Sequence, residues 1–574
     1  MAGPTTSSPP DGGTAKNGRT YPIMTRREIE ALIAEGRSIF ILDQYVIKAD
    51  GWRKYHPGGD KAIMHMVGRD ATDEVNGLHS PEAKRIMERY RIGRIEGRWK
   101  NFLPPIQGGR FRPRVPEGEE ETEEEFNPNL VVQQEEVSSG TTSRSPSPIF
   151  DTPDSGLRNR GTRSGSTTSL SSVDDEATGP KDGMAHLDIL TRKEIKLDLA
   201  KYPPLDPATQ DTIVEKYRQL NQRIIDEGLY RCNYWAYAVE ATRYALFFGL
   251  MLLFLRWKWY ITSAFFLGCF WHQLVFSAHD AGHMGITHNF QIDTVIGIVI
   301  ADFLGGLSLG WWKHNHNVHH IVTNSPEHDP DIEHMPFFAI SHRFLGGLFS
   351  TYYERLMPYD KAAQFFIRLQ HHLYYVILLF GRFNLYRLSW AFLLTGQGPR
   401  KGIAAWHRWL EIAGHVFFWS WFGYGILYRS IDTNWNRFLF LIVSHLVTTP
   451  VHVQITLSHF AMSTADLGVD ESFPQKMLRT TMDVDCPAWL DFFHGGLQFQ
   501  AIHHLFPRIP RHNLRKTQRL VQEFCNEVGI PYALYGFVDG NKQVIGRLAE
   551  VARQAAILKK CQSVLVKGEV GHVH

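Results

Sequence analysis

Three short histidine clusters, set between apolar segments of membrane length, constrain this chain more than any other feature, because they have to meet in space. His279-Asp280-Ala281-Gly282-His283 places two imidazoles four residues apart, on one face of a helix about one turn apart. His316-Asn317-Val318-His319-His320 gathers positions i, i+3 and i+4, and Gln500-Ala501-Ile502-His503-His504 puts an amide one turn before an adjacent pair. A lone histidine near an apolar surface is most often a hydrogen-bonded core residue. Grouping at helical spacing argues instead for metal ligands. Neutral imidazole suits iron, zinc and copper, and about eight to ten ligands are too many for one four-coordinate zinc, so the pattern asks for two metals. Two metals beside a bilayer point to redox chemistry.

Convergence restricts the membrane topology. Six segments approach the roughly 20 residues that a spanning helix needs: 237–257, 259–278, 291–310, 372–394, 411–430 and 437–457. If 291–310 crossed, the first and second clusters would lie on opposite faces, about 30 Å apart by helix rise. That segment also carries Asp293, Asp302 and Gly305-Gly306, so it reads as re-entrant, interfacial or buried in protein. The second and third clusters likewise need an even number of crossings between them. The weakest candidate there is 372–394, with Arg382, Asn384 and Arg387. Four spans remain, at 237–257, 259–278, 411–430 and 437–457. The opening residues have neither the basic nor the apolar part of a signal peptide, so the N-terminus is expected in the cytosol. Four crossings then put every cluster and the C-terminus there too. The hairpin Arg256-Trp257-Lys258 would be lumenal, against the positive-inside bias, but two charges weigh less than a shared site.

The pattern HDAGH, HNVHH and QAIHH resembles the membrane fatty-acyl desaturases, and the leading Gln500 resembles their front-end subgroup. The resemblance covers most of residues 184–530. It implies a di-iron centre that uses O2 to remove two hydrogens from a lipid chain. The ligands it implies are His279, His283, His316, His319, His320, Gln500, His503 and His504, with the isolated His459 completing the metal shell. Many front-end enzymes carry Glu just before the last pair, where this chain has Ile502, which puts a supporting hydrogen bond in doubt rather than a ligand. His272, His288, His314, His452 and His494 read as packing or hydrogen-bonding residues, and His572 and His574 as tail residues.

Residues 21–100 have a mixed pattern, with a strand at Ser38–Leu42 and a helix from Pro81 to Tyr90. Tyr55-His56-Pro57-Gly58-Gly59-Asp60, then Gly68-Arg69-Asp70-Ala71-Thr72 and Leu78-His79-Ser80, resemble cytochrome b5. That resemblance implies an α+β domain whose His56 and His79 clamp the iron of haem b from both sides, leaving an electron carrier with no open position. His65 between them reads as a surface residue. From 101 to 183 the chain turns Pro-rich, then acidic at Glu117–Glu125, then Ser/Thr/Arg-rich, too poor in apolar residues to offset its chain entropy. It reads as a disordered tether spanning on average about 50 Å, with composition-only phosphorylation candidates at Thr142–Pro148. Residues 1–20 are also expected to be disordered.

The expected architecture is therefore multidomain: a haem domain at 21–100, then a mainly α-helical polytopic membrane domain of four spans at 184–574 with a cytosolic di-iron site. Residues 511–526 form an amphipathic helix, on the membrane surface or packed on the domain. A formal charge of +2 gives no argument for nucleic acid. Five scattered cysteines without a secretory signal are expected as reduced thiols. With no retrieval signal, residence in the endoplasmic reticulum would come from the spans themselves. NADH-cytochrome b5 reductase is the electron source implied by the haem domain. The order of haem domain, long tether and boxes is most similar to fungal sphingolipid desaturases acting at carbon 8 of the long-chain base, whether free base or ceramide. A delta-5 or delta-6 type acyl-lipid desaturase and a lipid hydroxylase are the rival enzymes; hydroxylases usually have His where this chain has Gln500. A membrane-anchored haem carrier without catalysis would leave the clustered ligands unexplained.

Overall fold

The computed structural model describes residues 20–112 and 183–570, with side chains over 20–112 and 185–560. The expected disordered N-terminus, most of the tether with Thr142–Pro148, the side chain of Cys561, and His572 and His574 lie outside the described residues.

The N-terminal unit is built on the antiparallel strands Ile39–Leu42, Tyr45–Lys48 and Arg91–Arg94, in that order. Alternation along the first strand sends Ile39 and Ile41 into one core, with Ile29, Ile33, Val46 and Trp99. Phe40 and Leu42 enter another, with Ile47, Ala62, Ile63, Met66 and Val75. This explains the unbroken apolar run: both faces of the strand are covered. The helix Arg26–Ala34 starts at a capping box between Thr25 and Glu28, and Pro81–Met87 starts at Ser80, whose hydroxyl accepts from the Ala83 N–H. Packing continues past residue 100. Phe102 and Phe111 meet edge to face at 5.5 Å, and Gly68 O accepts from both Phe102 N and Trp99 Nε1, so the chain stays on the domain through residues expected to begin the tether. His65 corrects its sequence reading. It is fully buried, with Nδ1 3.1 Å from Gln107 Nε2 and its ring 5.3 Å from that of His328.

The remainder is mainly helical, with two small two-stranded sheets, Leu348–Ser350 with Arg355–Met357 and Asp483–Asp485 with Leu534–Gly536. Gly183–Lys201 and Pro207–Asp226 lead to three helices long and apolar enough to cross a membrane: Tyr234–Arg256, Tyr260–Gly282 and Asn434–Phe460. The first is mostly outward-facing, whereas the second, which carries the first histidine box, is packed inside the protein. The segment expected to span at 411–430 is a helix, His407–Phe418, continued by the π-helix Trp419–Ser430, with Val416, Phe417 and Tyr424 turned outward. By length and composition it is not among the three.

The two segments denied a crossing are both broken. Phe290–Leu304 and Leu309–Val322 meet at 117°, and Lys361–Leu378 and Gly381–Thr395 at 78°. At the first break Gly306 has φ +69°, and a Cβ there would clash with the Phe418 ring, 2.4 Å from its nearest carbons. The backbone freed by the break is satisfied internally. Ser308 Oγ accepts from Trp311 N, Asp302 accepts from Leu309 N, and Glu411 accepts from the Ser308 hydroxyl and Gly310 N. Irregular backbone at membrane depth is tolerated only when protein covers it in this way. Cys232, Cys269, Cys486 and Cys525 are free thiols. The helix Arg511–Val528 buries Leu514, Leu520, Val521 and Phe524 against Tyr217 and Ile224, so its apolar face is a protein contact.

Candidate metal centres

Each box occupies a helix end. His279 and His283 close Tyr260–Gly282, the second as its C-cap residue; His316, His319 and His320 lie on Leu309–Val322; Gln500, His503 and His504 lie on the short helix Gln500–Leu505; His459 lies on the last turn of Thr449–Phe460. The break at Gly305-Gly306 turns the second box back toward the first.

The side chains meet in two groups. His279, His283, His316 and His503 offer ligand atoms all within 4.8 Å of one another, as do His319, His459 and His504. His320 joins the groups: its ring lies 4.9 Å from that of His283 and 4.3 Å from that of His504, and its Nε2 is 3.1 Å from His316 Nε2. Gln500 is buried beside His459. His283 Nε2, His320 Nδ1, His459 Nδ1, His503 Nε2 and His504 Nε2 are buried without a hydrogen-bond partner. Buried polar atoms are ordinarily paired, so convergent orphaned imidazole nitrogens are a donor set that fits metal ions. Burial, then the neighbouring imidazoles, holds His503 and His504 well below the ordinary histidine value, leaving their lone pairs free at neutral pH. His319 differs: burial disfavours its charge, but Asp329 and then Asp331 outweigh that and push it up to about 9.

Sequence reasoning missed the groups that aim these rings. Asp329 Oδ2 lies 2.9 Å from His319 Nδ1 while the same carboxylate accepts from Asn324 N and Asp331 N. Asp331 is 3.8 Å from His316 Nδ1 and accepts from Asn315. Carboxylates behind ligating histidines fix tautomer and orientation, and the available signal was Asp329-Pro330-Asp331, nine residues beyond His320. Trp312 was also missed; it stacks on His316 at 4.5 Å, and Gly282 leaves room for its ring. Ile502 faces an apolar cluster with Leu505, Phe506 and Leu520, so that position does packing work here.

In the N-terminal unit His56 Nε2 and His79 Nε2 face each other at 3.5 Å, about half an ångström short of the roughly 4 Å that two imidazole–metal bonds would span. Gly59 O lies 2.8 Å from His56 Nδ1 and Val75 O 3.3 Å from His79 Nδ1, so each ring donates backwards and presents a bare Nε2. Burial, then His56, pushes His79 down to about 3, and burial also lowers His56. Phe40, Leu42, Ile63, Met66 and Val75 share the apolar core beside them. This pair fits a flat macrocycle ligated on both faces.

The remaining histidines stand outside both groups. His288 lies between Met284 O and Tyr230 O, His494 bonds Gln454, and His452 packs against Gly381. His272 stacks on Phe493, and His314 packs against Gly59.

The chain matches the family described as Fatty acid desaturase over residues 255–536 and the Cytochrome b5-like Heme/Steroid binding domain over residues 25–96. It is similar to proteins named Delta 8-(E)-sphingolipid desaturase: 64% identical to that of Emericella nidulans, over 94% of this chain and 96% of the relative. Identity is 50% to that of Komagataella phaffii, over 94% and 95%, and 49% to that of Candida albicans, over 94% and 97%.

Proposed function

Because this chain belongs to the membrane fatty acid desaturases that carry an N-terminal cytochrome b5-like domain, we propose that it introduces a trans double bond at carbon 8 of a sphingolipid long-chain base. The observation that carries the chemistry is the pair of adjacent imidazole groups, His279/His283/His316/His503 and His319/His459/His504. Each group would hold one iron, with His320 between the groups and Gln500 beside His459. Iron there supplies oxygen activation and hydrogen abstraction, and haem b between His56 and His79 supplies electrons one at a time. The chain's own residues orient and shield. Asp329 and Asp331 aim His319 and His316, Trp312 braces His316, and the buried Ile502, Leu505 and Phe506 wall the third box from water. Two adjacent methylenes of the substrate must face the metals while its polar end is held at a fixed distance. O2 is the co-substrate, NADH-cytochrome b5 reductase the electron source, and ceramide or free base the lipid.

The same reading assigns four crossings, at 234–256, 260–282, 407–430 and 434–460, with both broken pairs returning to the face they left. The haem unit packs against the second box, which supports one common side for both centres, and that side is the cytosolic face of the endoplasmic reticulum. In a yeast lacking such an enzyme, expression of the chain should yield long-chain bases with one new unsaturation at carbon 8 by mass spectrometry. New double bonds confined to acyl chains would move the substrate to the acyl lipids, and a hydroxylated base would replace desaturation by hydroxylation.

A further inference from the structure

The segments bearing both haem-ligand histidines are seated on the histidine boxes. Beside His79, Arg508 donates from Nη1 to the His79 carbonyl at 2.9 Å; Arg508 is buried and lies four residues beyond His504. Gly77 fits against Leu505 O and Pro507 in the same stretch. Beside His56, Gly58 abuts the Asn317 side chain and Gly59 the His314 ring, residues that flank His316. Between these contacts Ala62, Ile63 and Met66 share a buried cluster with Val318, Ile321 and Val322 of the second-box helix. Ion pairs close the rim: Lys61 with Glu354 at 2.8 Å and Asp73 with Arg218 at 2.8 Å.

We propose that Arg508 is the positioning residue for the electron transfer expected of a fused haem domain: its bond to the His79 carbonyl holds that segment against the third box. The proposal rests on the desaturase reading above. The step is a single-electron transfer: ferrous haem becomes ferric as one ferric non-haem iron becomes ferrous, no bond forms or breaks, and reduced pyridine nucleotide acting through a flavoprotein replenishes the haem. Arg508 suits this role because its short bond reaches the backbone of a ligand residue, so its loss moves the haem relative to His503 and His504 without removing any ligand.

The test uses the full-length holoenzyme in detergent with ceramide added. Haem is reduced anaerobically, mixed with oxygenated buffer, and its reoxidation followed optically. Arg508→Ala should slow reoxidation by about tenfold or more, within the roughly hundredfold loss that a misplacement of about an ångström can cause. Haem content, non-haem iron content and the rate of haem reduction by the reductase should stay at wild-type values, and Arg508→Lys should recover part of the rate. Should Arg508→Ala lower non-haem iron, the far rim decides: Lys61→Glu should slow reoxidation, and adding Glu354→Lys should restore it. Wild-type reoxidation rates in an iron-replete Arg508→Ala protein, or in Lys61→Glu, overturn the inference alone. A wild-type haem reoxidised no faster than after chelation of the non-haem iron overturns the desaturase reading with it.

Discussion

Asp329 has no exposed surface and spends its carboxylate on His319 Nδ1 and two backbone N–H groups. Without it, the imidazole loses the partner that fixes its tautomer, and metal affinity should fall about 10–100-fold. Asp329→Ala protein, dialysed against buffer, should therefore hold less non-haem iron per haem than wild type, with the haem spectrum unchanged. Equal iron in the two proteins would mean that His319 is held by other means. Ligand candidates were legible because spacing along one helix is a local property. Asp329 was not, because its role depends on the chain reversing after Val322, which no periodicity records. His65 failed for a related reason: its burial comes from Gln107 and from His328, a residue of the other domain.

At the scale of an element, the break between Phe290–Leu304 and Leu309–Val322 brings the second box to the first. Gly306 is its pivot. Alanine there would adopt a left-handed backbone at a cost of about 1–2 kcal/mol and push into the Phe418 ring, which adds about 1–3 kcal/mol. Gly306→Ala should lower the melting temperature in detergent and lose non-haem iron together. Gly249→Ala is the opposite control, a helical position with nothing near its Cβ that should be neutral or slightly stabilising. A Gly306→Ala protein that melts like wild type would show that the turn has another way to close. Charge and glycine content marked this segment as a poor span in the sequence, but the 117° angle comes from contacts with Glu411 and Phe418 more than a hundred residues away.

For the whole molecule, two histidine constellations share one buried contact, and the metals proposed for them should separate experimentally. Chelation of non-haem iron should abolish desaturation while leaving the haem spectrum intact, and the reduced haem should not bind carbon monoxide if, as proposed, His56 and His79, whose Nε2 atoms face each other, both ligate it. Carbon monoxide binding would show that one of the two is not a ligand. The sequence by itself determined what local pattern can carry: the helix-spaced histidines, the apolar segments, the β-strand and capped helices around His56 and His79, and the polar residues and glycines that marked 291–310 and 372–394, both of which are broken in the structure. Only the tertiary structure decided which ligands stand together, because His503 joins the His279 group while its neighbour His504 joins His319 and His459, and adjacent residues on a helix point about 100° apart. It also decided where the haem unit sits. The contacts of Arg508 with His79 and of Lys61 with Glu354 join residues hundreds of positions apart, and chain composition between them carries no record of that pairing.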